Sequence, residues 1–69
     1  MTVASPERGG CLTPRELEVA RLVASGLRNA AIAEVMGISV VTVKNHLART
    51  MQKLDVQSRM EVMLFVLNR

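Results

Sequence analysis

The sequence predicts an all-α protein, a four-helix bundle whose second and third helices form a helix-turn-helix. Three observations predict it. Helix-start signals recur at Thr13, Asn29, Ser39 and Ser58, each followed by apolar residues at helical spacing. No stretch alternates apolar and polar residues over a strand's length, and no internal repeat is present. The segments between the helical patterns are only a few residues long, so successive helices must be close neighbours.

Residues 1–11, MTVASPERGGC, show no periodicity and contain Pro6, Gly9 and Gly10. They read as a flexible tail or the remnant of a linker, and residues 12–69 as one domain. The first helix opens in LTPRELEV. Thr13 is its cap, Pro14 suits the first helical position, and Glu16 completes a capping box, with Leu12 and Leu17 as the accompanying apolar staple. Val19, Ala20, Leu22 and Val23 supply the apolar face, and Gly26 terminates it.

The second helix spans about Asn29 to Met36, with Asn29 as the expected cap and Ile32, Ala33 and Met36 facing inward. So short a helix needs tertiary contacts to persist in water. The third runs from about Val40 to Leu54 behind the Ser39 cap. Val43, Leu47, Thr50 and Leu54 form a narrow core-facing stripe, and Asp55 tolerates the left-handed conformation that a helix end requires. Thr50 within that stripe either weakens the packing or bonds back to its own helix. The fourth begins at Ser58, with Glu61 as its box partner, and continues to about Leu67.

Composition narrows the chemistry. The chain has 69 residues, one His, one Cys and no Trp or Tyr, so its core is aliphatic and Met-rich and catalysis is poorly supplied. No enzyme, metal site or cofactor is expected. Cys11 has no partner for an intramolecular disulfide, which fits a reducing compartment. The longest apolar run, Val62 to Leu67, is far short of a membrane span, and the N-terminus lacks an apolar signal core. The net charge of +3 permits an anionic partner, and its distribution says more than its size. Residues 40–54 carry Lys44, Arg49 and Lys53 and no acid.

The segment IAEVMGISVVTVKNHL has the residue sizes that a steep helix crossing needs. Ala33 is small where the helices touch, Ile32 and Met36 are apolar, Gly37 takes positive φ, Ile38 plugs the core and Val43 anchors the second helix. With Val43 at zero and ~100° per residue, Lys44, Ala48, Val41, Gln52 and Asn45 fall on the opposite side. Arg49, Lys53 and His46 lie on one flank. A strip of Lys, Asn and small residues flanked by cations suits a helix inserted in a major groove, where Lys donates to guanine and Asn pairs with adenine. The alternative from pattern alone is a solvated basic face on an ordinary helical corner.

LTPRELEV, GLRNAAIAEVMGIS and TVKNHLARTMQKLDVQSR together resemble the DNA-binding domain of LuxR-type (GerE/NarL-like) bacterial transcription regulators. The resemblance covers Leu12 to about Leu67. It implies a tetrahelical helix-turn-helix bundle, with the third helix in the major groove of double-stranded DNA. Lys44, Asn45 and Ala48 then take base-reading places, and Asn29, Thr42, His46, Arg49 and Lys53 lie at the phosphate backbone. His46 reads as a rim residue whose partly buried ring donates to a phosphate; the alternative is a boundary histidine that touches no DNA. Ala48 stands where relatives often carry a longer polar or basic reader. Leu47, Arg49 and Thr50 replace the commoner Arg, Asn and Ile, and Asp55 replaces a usual glycine.

The last helix is apolar nearly all round. Val62 and Val66 are assigned to the core, and Met60, Met63, Leu64 and Leu67 to a homodimer interface, as the resemblance also suggests. The resemblance is compatible with RNA polymerase as a partner and implies a bacterial cytoplasmic protein held on the nucleoid through its DNA. It leaves open a self-contained regulator or an effector domain whose receiver or sensor domain lies elsewhere. Two other readings stay open: a helical interaction module that dimerises without binding DNA, and the promoter-reading domain of a sigma factor, which the LTPRE and SR segments fit less well.

Overall fold

A computed structural model of the protein describes residues 12–68 and contains, in order, α1 (Pro14–Ala24), α2 (Asn29–Met36), α3 (Val40–Leu54) and α4 (Arg59–Leu67). The tail expected over residues 1–11 lies outside the described residues. Three of the four helix starts are capped by the expected side chain. Thr13 Oγ1 accepts from the Glu16 N–H at 3.1 Å while Glu16 Oε1 accepts from the Thr13 N–H at 2.9 Å. Ser58 and Glu61 close the same reciprocal box on α4. Ser39 Oγ accepts from the Thr42 N–H at 3.1 Å. Each satisfies a backbone donor that a helix start leaves without a partner.

The second helix corrects the expectation. Arg28, not Asn29, occupies the cap position of α2, no side chain caps it, and Asn29 is the first helical residue. The Asn29 side chain is drawn elsewhere by a partner remote in sequence, described below.

Helices α1, α2 and α3 end in one way. Gly26, Gly37 and Asp55 adopt left-handed backbone (φ 89°, 69° and 58°). The residue after each donates back to the last turn: Leu27 to Leu22, Ile38 to Ala33 and Val56 to Met51. Leu27, Ile38 and Val56 thereby pack against the core. At Gly37 the requirement is one of backbone conformation, since a Cβ there meets nothing within 4 Å. Gly37→Ala is therefore expected to cost about 1–2 kcal/mol from the left-handed conformation alone. Thermal unfolding checks it, and an unchanged midpoint contradicts it.

The core is built from Val19, Ala20 and Val23 of α1, Ile32, Ala33 and Met36 of α2, Val43, Leu47 and Leu54 of α3, and Val62 of α4. Helix α1 packs on α4, α3 and α2, and α2 packs on α3. All four residues of the expected α3 stripe are buried, including Thr50, whose hydroxyl donates to the His46 carbonyl at 2.8 Å. Back-bonding thus satisfies a polar group at a core position.

On α4, Val62 is buried and Val66 packs against the core, as assigned. Met63 is half-buried. It packs against the core too, leaving Met60, Leu64 and Leu67 as the exposed apolar face (62%, 50% and 66% exposed). No helix among the described residues is long and apolar enough to cross a membrane.

Candidate nucleic-acid interface

The Ala33 contact and the Gly37 turn set α3 across α2, and burial of Val43, Leu47, Thr50 and Leu54 fixes its rotation. The opposite side is thereby turned outward. Val41, Lys44, Asn45, Ala48, Arg49 and Gln52 are all exposed. The strip is a ridge and not a pocket wall. A shallow depression lined by Leu27, Ala30, Ala31, Ile38 and Val40 lies along α2 and includes none of the residues of that α3 strip.

The structure therefore brings Lys44, Asn45 and Ala48 together on one exposed face with Arg49 beside them. Thr42, His46, Lys53 and Asn29 are half-buried at its margins. The Thr42 hydroxyl lies 2.9 Å from Ser39 Oγ, within the α3 start. His46 Nδ1 is buried without a hydrogen-bond partner among the described residues. An orphaned N–H is rarer than an under-used acceptor, so this favours a ring whose proton rests on Nε2.

Lys53 is engaged more deeply than its sequence position suggests. Its Nζ lies 2.7 Å from Glu16 Oε1, and Glu16 is only 2% exposed. One carboxylate thus completes the α1 cap and ties the α1 start to the α3 end. Burial pushes the Glu16 carboxyl up, but the hydrogen bonds from Lys53 and Thr13 and the lysine charge outweigh it. The net shift is downward from its ordinary 4.5.

Arg59 is the residue that sequence reasoning passed over. Its Nη1 donates to Asn29 Oδ1 at 2.8 Å and its Nη2 to the Leu27 carbonyl at 2.6 Å, fastening the start of α4 to the start of α2. A guanidinium offers only donors, so the atom it meets on Asn29 is the amide oxygen. The Asn29 NH₂ group remains as a donor for another partner. The available signal was the cation directly after the Ser58 cap, in the SR pair; its partners, about thirty residues away, were not inferable from spacing.

Comparison with known proteins agrees with this architecture. Residues 11–66 match the family model described as bacterial regulatory proteins, luxR family. The tetrathionate response regulatory protein TtrR of Salmonella typhimurium is 51% identical over 51 residues, covering 74% of this chain and 25% of the relative. The uncharacterized transcriptional regulatory protein YxjL of Bacillus subtilis is 46% identical over 55 residues, with 80% and 25% covered. The response regulator protein VraR of Staphylococcus aureus is 39% identical over 54 residues, with 78% and 26% covered. Among solved structures, the response regulator StyR superposes with a TM-score of 0.79 at 43% identity, over 84% of this chain and 29% of StyR. The chain spans about a quarter of the length of these relatives. With the family match running from the first capping box into the last helix, the chain belongs to the luxR family of bacterial regulatory proteins.

Proposed function

We propose that this chain is a sequence-specific DNA-binding unit of bacterial transcription regulation that lays α3 in the major groove. The observation that carries the reading is the exposed strip of Lys44, Asn45 and Ala48, opposite a fully buried stripe on the same helix. Lys44 donates to guanine O6 or N7, and Asn45 pairs with the adenine edge. Ala48 contributes apolar contact only. Arg49, Asn29, Thr42 and the Nε2–H of His46 meet phosphates, where they set register without reading sequence. Lys53 approaches the backbone with its charge partly balanced by Glu16, which makes it the weakest of these contacts. Family membership supports the reading, and so do the regulatory relatives.

Titration of duplex DNA at several salt concentrations tests it. The logarithm of affinity is expected to fall with the logarithm of salt by about 0.9 for each phosphate neutralised. A flat dependence, or no binding, supports instead a helical interaction module working through α4.

The exposed Met60, Leu64 and Leu67 face is the proposed homodimer contact, which sets two recognition helices on half-sites about one DNA turn apart. Leu64→Glu is the informative variant, because Met63→Glu also places a charge against the core. On a dimeric wild type, sedimentation of Leu64→Glu should report monomers of unchanged helical content. An unchanged mass refutes the face.

A further inference from the structure

We infer that Val41 reads the 5-methyl group of a thymine, and that this contact fixes one base of the half-site beside those read by Lys44 and Asn45. The inference rests on the groove-reading role proposed above for α3. Val41 is 66% exposed and sits at the second position of α3. It lies three and four residues before Lys44 and Asn45, and so above them on one helix face. Of the large apolar side chains exposed among the described residues, Met60, Leu64 and Leu67 lie on α4, Val35 on α2, and Val40 and Val41 on α3. Only Val41 shares the Lys44–Asn45 strip.

Local stability does not explain a valine there. A β-branched residue in an exposed helical turn loses side-chain freedom and buries little in return. Placement does suggest a role. Recognition helices in a major groove bring their N-terminal residues to the base edges. The one apolar group those edges present is the thymine methyl. A branched, uncharged side chain at that end has no donor for guanine and no acceptor for cytosine. Thymine is what it matches. Ala48, seven residues on, projects too little to make an equivalent contact with the same base, since about 10 Å of helix separates them.

The test removes the methyl and nothing else. After selection of a bound duplex by the 69-residue chain, each thymine of the site is replaced singly by uracil, and affinity is measured for the wild type and for Val41→Ala. One position per half-site should cost the wild type about three- to tenfold, the worth of a buried methyl group. The same replacement should cost Val41→Ala nothing, while Val41→Thr, which keeps one methyl, falls between. Thermal unfolding of Val41→Ala should show no loss of stability against wild type, because the side chain is outside the core and alanine is the better helix former. The inference is overturned if no thymine is sensitive, or if the sensitive one stays equally sensitive in Val41→Ala. Failure to select any sequence removes the groove-reading role itself, a result distinct from a selected site whose methyls are silent.

Discussion

Glu16→Ala is expected to cost about 2–3 kcal/mol of folding stability, the largest loss predicted for any polar substitution in the domain. Removing a cap interaction is worth about 1 kcal/mol. The variant also removes a charge-assisted hydrogen bond to Lys53, whose side chain is three-quarters buried, and such a bond contributes about 1.5–3 kcal/mol. In a domain of this size the thermal midpoint should drop by roughly 10–20 °C. Glu16→Gln keeps an acceptor for both the Thr13 N–H and Lys53, so its loss should be smaller.

The two variants separate further with pH. The folded-state carboxyl titrates below the ordinary 4.5, so the unfolded chain binds the proton first as pH falls. The contribution of Glu16 is therefore complete above that value and is lost as pH drops below it toward the folded-state value. Wild type should lose stability across that acid window, and Glu16→Gln should lose less. Parallel acid limbs for the two proteins contradict the assignment.

Lys44→Ala should remove about 1–3 kcal/mol of discrimination at one base step, a factor of roughly five to 150. Lys44 is exposed and outside the core, so the fold should be unaffected. The signature is selective. Affinity for the preferred site falls, affinity for a site altered at the contacted base does not, and preferences elsewhere persist. Arg49→Ala should behave differently, weakening every duplex alike and lowering the salt slope by about 1. A uniform loss for Lys44→Ala makes it a phosphate contact and leaves Asn45 as the reader.

Much of this fold was legible because its determinants are local. Capping boxes at Thr13–Glu16 and Ser58–Glu61 join residues three apart, and the α3 stripe repeats within one helix. Positive φ at Gly37 and Asp55 follows from what each residue tolerates, and the α2 and α3 limits fall where the pattern placed them. The illegible features are long-range or competitive. Lys53 and Glu16 are 37 residues apart, and Arg59 lies 30 from Asn29. Pattern placed Lys53 on the flank of the outward α3 strip, as a phosphate contact, without naming the carboxylate it would meet. Asn29 looked like a cap because its side chain is suited to one, but an arginine from α4 claims its oxygen. That Met63 also packs against the core was not legible, because an α4 helix apolar on both faces has no sequence-level mark of where core ends.

The base-reading strip was legible for a different reason. Burial of Val43, Leu47, Thr50 and Leu54 leaves only one side of α3 for solvent, so fixing the stripe fixes Lys44, Asn45 and Ala48 as well.

Selection of bound duplexes from a random pool by this chain tests the central claim most directly. A sequence-reading α3 predicts strong enrichment of one short motif, repeated with two-fold symmetry about one helical turn apart, and a Lys44→Ala selection in which one base of that motif becomes indifferent. A pool that returns unenriched, or a motif unchanged by loss of Lys44, contradicts the proposal that this face of α3 reads DNA.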